Sequence, residues 1–213
     1  MYAALRQFLF NATVINYTAM MFGMWVYGWK LRWNFDPNEL PSNWKIFFQV
    51  LFCIFVEDTL FHHAHKLFHV KHKYLPLYQW VHKRHHEFKM PVSISAQYAH
   101  PVEHIFANIL PTLAGPLILG KHLHFWMIIS WGVVRMMDTH EGHSGYDFPW
   151  SIFRLIPFGT GPAYHDFHHS ANVGNYSSFT SVWDTFWDTN TEFWEEYFPL
   201  GPRRSEGEHE KKE

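Results

Sequence analysis

Phe8 to Trp29 is a stretch of about 22 residues without a charge, with Arg6 before it and Lys30 and Arg32 after it. That length predicts a helix able to cross a bilayer. Asn11 and Asn16 interrupt the apolar run, so the buried helix of a soluble protein is the competing reading. A cleavable signal peptide fits less well, because no A-x-A site follows the stretch. Asp36-Pro37 and Pro41-Ser42 then break the chain, and Ser42 or Asn43 can cap the next helix. Ile46 to Val56 is apolar, whereas the continuation to His72 is polar and rich in histidine. This pattern predicts a membrane helix that leaves the bilayer and carries on as a polar one. Ile105 to Val134 is the third apolar region. Pro111, Gly115, Pro116, Gly120 and the polar Lys121–His124 interrupt it, which predicts a hairpin of two shorter helices. The fold class expected is all-α: an integral membrane protein with about four membrane-embedded helices and a helical cap on the cytosolic side. Residues 1–202 read as one domain, and 203–213 (RRSEGEHEKKE) as a solvated, disordered tail.

Composition sharpens this picture. Aromatic residues make up 20 % of the 213-residue chain and charged residues 17 %, below the roughly 25 % charge of a soluble domain. Disorder is excluded by the high apolar content, and a disulfide framework by the single cysteine, Cys53. A net charge of −2 gives no case for nucleic-acid binding. Basic residues gather on one side of the apolar segments (Lys66, Lys71, Lys73, Lys83, Arg84, Lys89, Arg135, Arg154), which places those segments and the N-terminus in the cytosol or its equivalent.

Histidine is the anomaly, with 18 in the chain. Three clusters stand out: His65-x-x-x-His69, His82-x-x-His85-His86 and His165-x-x-His168-His169. On a helix, residues three and four apart lie on one face, about 5–6 Å apart at Cβ, so each cluster can converge on an ion. Single histidines such as His72, His122, His124 and His209 read as surface residues. The eight clustered imidazoles exceed one octahedral shell, so two metals are expected. Without a cysteine partner, a closed structural zinc site is disfavoured. Imidazole suits iron, zinc, copper and nickel alike, and spacing alone leaves iron and zinc open.

The three boxes, in this order, resemble those of the fatty acid hydroxylase/sterol desaturase superfamily of integral-membrane di-iron enzymes. The stretches HKRHHEF (82–88), AQYAHPVE (96–103), HSGYD (143–147), LIPF (155–158), YHDFHH (164–169) and GNYSSFT (174–180) look most like the C-4 methylsterol monooxygenases. The resemblance covers residues 57 to about 188. It implies metal ligands at His65, His69, His82, His85, His86, His143, His165, His168 and His169. His100 matches a family histidine too, and is either a weaker ligand or a site-lining residue; its alternative is a helix-start residue beside Pro101. Asp166 and Asp58 are expected to orient ligand imidazoles, and His140 to be structural. The implied cofactors are two iron ions with O2 as co-substrate. The implied reaction is hydroxylation of an unactivated C–H bond on a membrane lipid, the C-4 methyl of a sterol. The implied electron donor is cytochrome b5 with its reductase, and the implied location the endoplasmic reticulum membrane.

Three departures from the family pattern bear on activity. Lys66 stands where the family has Arg, and Lys lacks the bidentate guanidinium. The pattern W-D-R-x-F-G-T has become Trp183-Asp184-Thr185-Phe186-Trp187-Asp188-Thr189, which predicts a reshaped loop. The N-terminal region is shorter than is usual in the family. These features motivate a rival reading: a structural subunit of a larger membrane complex, in the mitochondrial inner membrane. Another superfamily activity, sterol C-5 desaturation or fatty-acyl hydroxylation, is a third.

Overall fold

The computed structural model describes residues 1–26 and 33–197. Lys30, Arg32, the end of the first apolar stretch and the charged tail lie outside them. The described residues are helical, without a β-strand.

Residues 2–26 form one continuous helix: α1 (Tyr2–Phe10), a π turn (Asn11–Ile15) and α2 (Asn16–Val26). The two asparagines that interrupt the apolar pattern have interior partners. Asn11 is fully buried and its Nδ2 donates to the carbonyls of Gln97 and Ala99, at 3.2 and 3.1 Å. Asn16 Oδ1 lies 2.8 Å from His104 Nε2. The neighbouring Leu9, Phe10, Val14, Tyr17 and Phe22 are exposed. The extra residue of a π turn shifts the helix face locally, which fits the inward aim of Asn11.

α3 (Asn43–Phe68) is 26 residues long, about 39 Å at 1.5 Å per residue. Ser42 Oγ accepts the Lys45 N–H at its start, the cap that the sequence predicts. Its first half exposes Trp44, Phe47, Phe48, Leu51 and Phe55, and its second half buries Glu57, Asp58, His62 and His65. α4 (Leu77–Trp80) leads into a 3₁₀ turn, His82–Glu87, so the second histidine box is not on an α-helix as its spacing suggests. A second 3₁₀ turn, Ser93–Gln97, follows.

α5 (Pro101–Glu103), a π turn (His104–Ile109) and α6 (Leu110–Leu119) again form one helix. It runs through Pro111 and Pro116, which do not break it as the sequence suggests. The π turn precedes Pro111, where a regular turn would leave a carbonyl without its donor. The actual break is Gly120, with a φ of +50° that favours glycine. Pro101–His122 is long and apolar enough to cross a membrane, the one such helix among the described residues, and a third of it is buried. α6 packs tightly on α3: a Cβ on Gly115 would lie 2.9 Å from Cys53 Sγ. α7 (Phe125–Gly142) returns from the hairpin, capped by His124 Nδ1 on the Trp126 N–H. α8 (Gly161–Ala171), α9 (Val182–Phe186) and α10 (Thr191–Tyr197) close the chain over the histidine-bearing ends.

An apolar core of Cys53, Leu123, Met127, Trp131, Phe153 and Phe179 lies between α3 and α7. Beside it the interior is polar. Arg135, buried on α7, sets Nε 2.7 Å from Glu57 Oε1 and reaches Asp138 at 3.5 Å. That ion pair ties α7 to α3 at the level of the histidines.

Candidate metal centre

All nine histidines named by the resemblance are buried, and they meet in two groups. His65, His69, His82, His86 and His168 form the first; His85, His143, His165 and His169 form the second. Within each group the ring nitrogens lie within 4.8 Å of one another. The boxes interleave. Each i,i+4 pair stays together (His65 with His69, His82 with His86, His165 with His169), while the remaining member of each H-x-x-H-H box, His85 or His168, crosses to the other group. An H-x-x-H-H box therefore does not serve one ion alone, as a single helix face implies.

Hydrogen bonding fixes five of the nine tautomers. Nδ1 of His65, His143, His168 and His169 lies 2.9, 2.9, 2.6 and 3.0 Å from the carbonyls of Tyr176, Thr139, Gly174 and Phe88. A carbonyl only accepts, so each Nδ1 carries the hydrogen and each Nε2 is a bare lone pair. His82 Nδ1 lies 2.8 Å from Glu103 Oε1 and is held in the same way. The Nε2 atoms then face one another: 3.2 Å for His65–His82, 3.2 Å for His69–His168, 2.9 Å for His82–His86, 3.3 Å for His85–His143, 2.9 Å for His143–His165 and 3.1 Å for His165–His169.

Protonation does not relieve this crowding. Burial, reinforced for most by neighbouring imidazoles, pushes His65, His82 and His143 down to about 3, and His85, His165, His168 and His169 well below their ordinary value. Where both Nε2 atoms are fixed as lone pairs, as between His65 and His82, such an approach calls for a cation between them. Nitrogens at right angles on an ion with bonds of about 2.1 Å stand about 3.0 Å apart, and tetrahedral ones about 3.4 Å. Four of the six spacings fall in that interval and the other two, at 2.9 Å, lie just below it, so the residues fit two metal ions held by nitrogen.

Not every residue singled out in the sequence joins the centre. His100 Nδ1 accepts the Val102 N–H and caps α5, outside both groups. Asp58 does not touch a histidine of the centre; its carboxylate accepts from the backbone of Ser178, Phe179 and Thr180 and pins that loop to α3. Asp166, partly exposed, makes no hydrogen bond to an imidazole among the described residues. His140 pairs with Ser93. The carboxylate that does orient an imidazole is Glu103. Its signal in the sequence is an acid at the start of an apolar span, where an unpaired charge is costly.

Asp184 anchors the altered loop. Asp184 accepts from the backbone of Tyr176 and Ser177 and from the hydroxyls of Tyr164 and Thr189, and so fixes the Tyr176 carbonyl that holds His65. Asp188, where the family pattern has Gly, keeps a left-handed φ of +51°. Lys66 lies over the Trp187 ring, 5.1 Å from its centroid.

A cavity of about 60 Å³ reaches the centre, lined by residues that include Ala96, Ala107, Arg135, Asp138, Thr139 and Phe153. Of the nine histidines, His85, His143 and His165 of the second group line it, with His65 of the first.

The fatty acid hydroxylase family profile matches residues 50–189. Among curated relatives, the chain is 36 % identical over 176 residues to the methylsterol monooxygenase erg25B of Aspergillus fumigatus, covering 81 % of this chain and 56 % of that protein. It is 36 % identical over 161 residues to methylsterol monooxygenase 1 of Rattus norvegicus (75 % and 52 % covered). It is 39 % identical over 158 residues to the very-long-chain aldehyde decarbonylase GL1-8 of Oryza sativa subsp. indica (72 % and 56 % covered). The chain thus spans about half the length of the curated relatives it matches, and no solved structure matches it. With its three histidine boxes all inside the matched residues, the chain belongs to the fatty acid hydroxylase family.

Proposed function

We propose that this protein is a membrane-bound di-iron monooxygenase that hydroxylates an unactivated C–H bond of a lipid, the C-4 methyl group of a sterol. The observation that carries this reading is the pair of buried imidazole groups with their Nε2 atoms turned on one another. His65, His69, His82, His86 and His168 would hold one iron, and His85, His143, His165 and His169 the other. When bound, the two ions supply reductive O2 activation and C–H oxidation. The chain supplies the rest. Backbone carbonyls and Glu103 hold five of the imidazoles in one tautomer, and burial keeps them neutral. Asp138, paired with Arg135 and hydrogen-bonded by the Ser178 hydroxyl, sits at the cavity wall. The cavity admits a few waters or a methyl group and is too small for a whole sterol. The lipid body would lie outside it, against apolar residues such as Ile152 and Leu155, which are exposed on either side of Phe153.

The four-helix embedding in the bilayer, the endoplasmic reticulum location and electron supply by cytochrome b5 and its reductase belong to this proposal. Its support is the exposed apolar faces of residues 2–26, of α3 before Glu57 and of α6 and α7. The methylsterol monooxygenases among the relatives support the substrate. The decarbonylase relative favours a second reading in which the substrate is a long-chain aldehyde.

The test is metal content and iron spectroscopy on the detergent-solubilised chain, then turnover with a 4-methylsterol and a reducing system. About two coupled irons per chain and a 4-hydroxymethyl product support the proposal. Zinc at full occupancy, which has no redox chemistry, sinks it, as does folded protein that takes up no metal.

A further inference from the structure

The two histidine groups differ in surroundings. Tyr176 packs on the first group, its ring centroid 5.7, 5.0 and 5.7 Å from those of His65, His69 and His168. Tyr78 packs on the same group from another side, 5.6, 6.2 and 5.9 Å from His69, His82 and His86. The second group has no tyrosine ring against it in the described residues, and three of its four imidazoles line the cavity, against one of five in the first. The donor count points the same way. Five imidazoles nearly complete an octahedral shell, whereas four leave room for an added ligand.

We infer that small exogenous ligands, dioxygen among them, enter through this cavity and bind at the His85/His143/His165/His169 group, while Tyr78 and Tyr176 close off the His65/His69/His82/His86/His168 group. The ligand class is a diatomic molecule or small anion that donates one atom to a metal. The inference rests on the proposal that the nine histidines hold two irons, and the assignment of roles to the two groups goes beyond it.

The probe is nitric oxide, added to the chain loaded anaerobically with ferrous iron and followed by the spin-resonance signal of its iron complex. Iron content is measured on the same samples. Fewer than about two irons per unsubstituted chain would overturn the parent reading itself. With two irons present, one nitric oxide per chain is expected. His82→Gln, which still leaves four imidazoles in the first group, should keep the signal; His85→Gln, which leaves three in the second, should lose that group's iron and the signal. Because ligand variants can fail to fold, Ala107→Leu and Ala96→Leu provide a second test. Both residues line the cavity without being among the nine histidines, and each variant should keep two irons while weakening nitric oxide binding by about tenfold or more. Nitric oxide on both irons, unchanged binding in both filled variants, or the signal surviving in His85→Gln but not in His82→Gln would overturn the inference.

Discussion

At the scale of single residues, the identities of the nine clustered histidines are legible in the sequence, but their partition is not. Spacing gives neighbours on a helix face. Whether His85 turns away from His82 and His86 depends on a 3₁₀ turn that no periodicity announces. Glu103 was equally hidden, because its partner His82 lies 21 residues earlier. Glu103→Gln should lower metal affinity by about 10- to 100-fold, as loss of a carboxylate behind a ligand imidazole does, read as iron retained against a chelator. Arg135→Met leaves Glu57 buried without its cation and should destabilise the chain by about 3–5 kcal/mol, read from denaturant unfolding.

At the scale of elements, the chain's breaks were read less well than its helices. The proline signals at 111 and 116 did not end a helix, because a π turn accommodates the first and Pro116 lies inside the packed α6. The Asn signals in the first span arose from interior partners that are distant in sequence. Gly174 shows how tightly a loop can be specified. Its φ is +54°, a Cβ there would lie 2.1 Å from the Thr189 carbonyl oxygen, and its own carbonyl accepts from His168. Gly174→Ala should cost more than about 2 kcal/mol and release metal from the first group more readily, measured by thermal unfolding and iron content. The opposite holds for Asp188. Its left-handed backbone favours glycine, so Asp188→Gly should raise stability by up to about 1 kcal/mol.

At the scale of the whole molecule, the all-α class followed from the apolar stretches, whereas the polar interior became visible only once the helices were packed. That interior makes stability depend on pH. In the metal-free chain, His65, His82 and His143 bind protons at about 3 when folded and at about 6.5 when unfolded. As pH falls below 6.5, the unfolded chain binds more protons than the folded one, so stability drops until about pH 3. Each group contributes about 1.4 kcal/mol per pH unit, or about 4 kcal/mol per unit for these three together. Against a total of about 5–15 kcal/mol, the metal-free protein should unfold between about pH 5 and 3. Bound metal, which competes with those protons, should move the transition to lower pH. Circular dichroism across a pH series, with and without iron, measures both.

The crossing of His85 and His168 between the two groups has a consequence for how the centre assembles. An ion seated in either group fixes the 3₁₀ turn and α8 together, and so pre-positions most of the donors for the second ion. The first ion bears the ordering entropy for both. Uptake should therefore be cooperative, with a sigmoidal isotherm and few half-loaded chains. Native mass spectrometry at substoichiometric iron should show mainly empty and doubly loaded protein, and a dominant singly loaded peak would mean that the two groups fill independently.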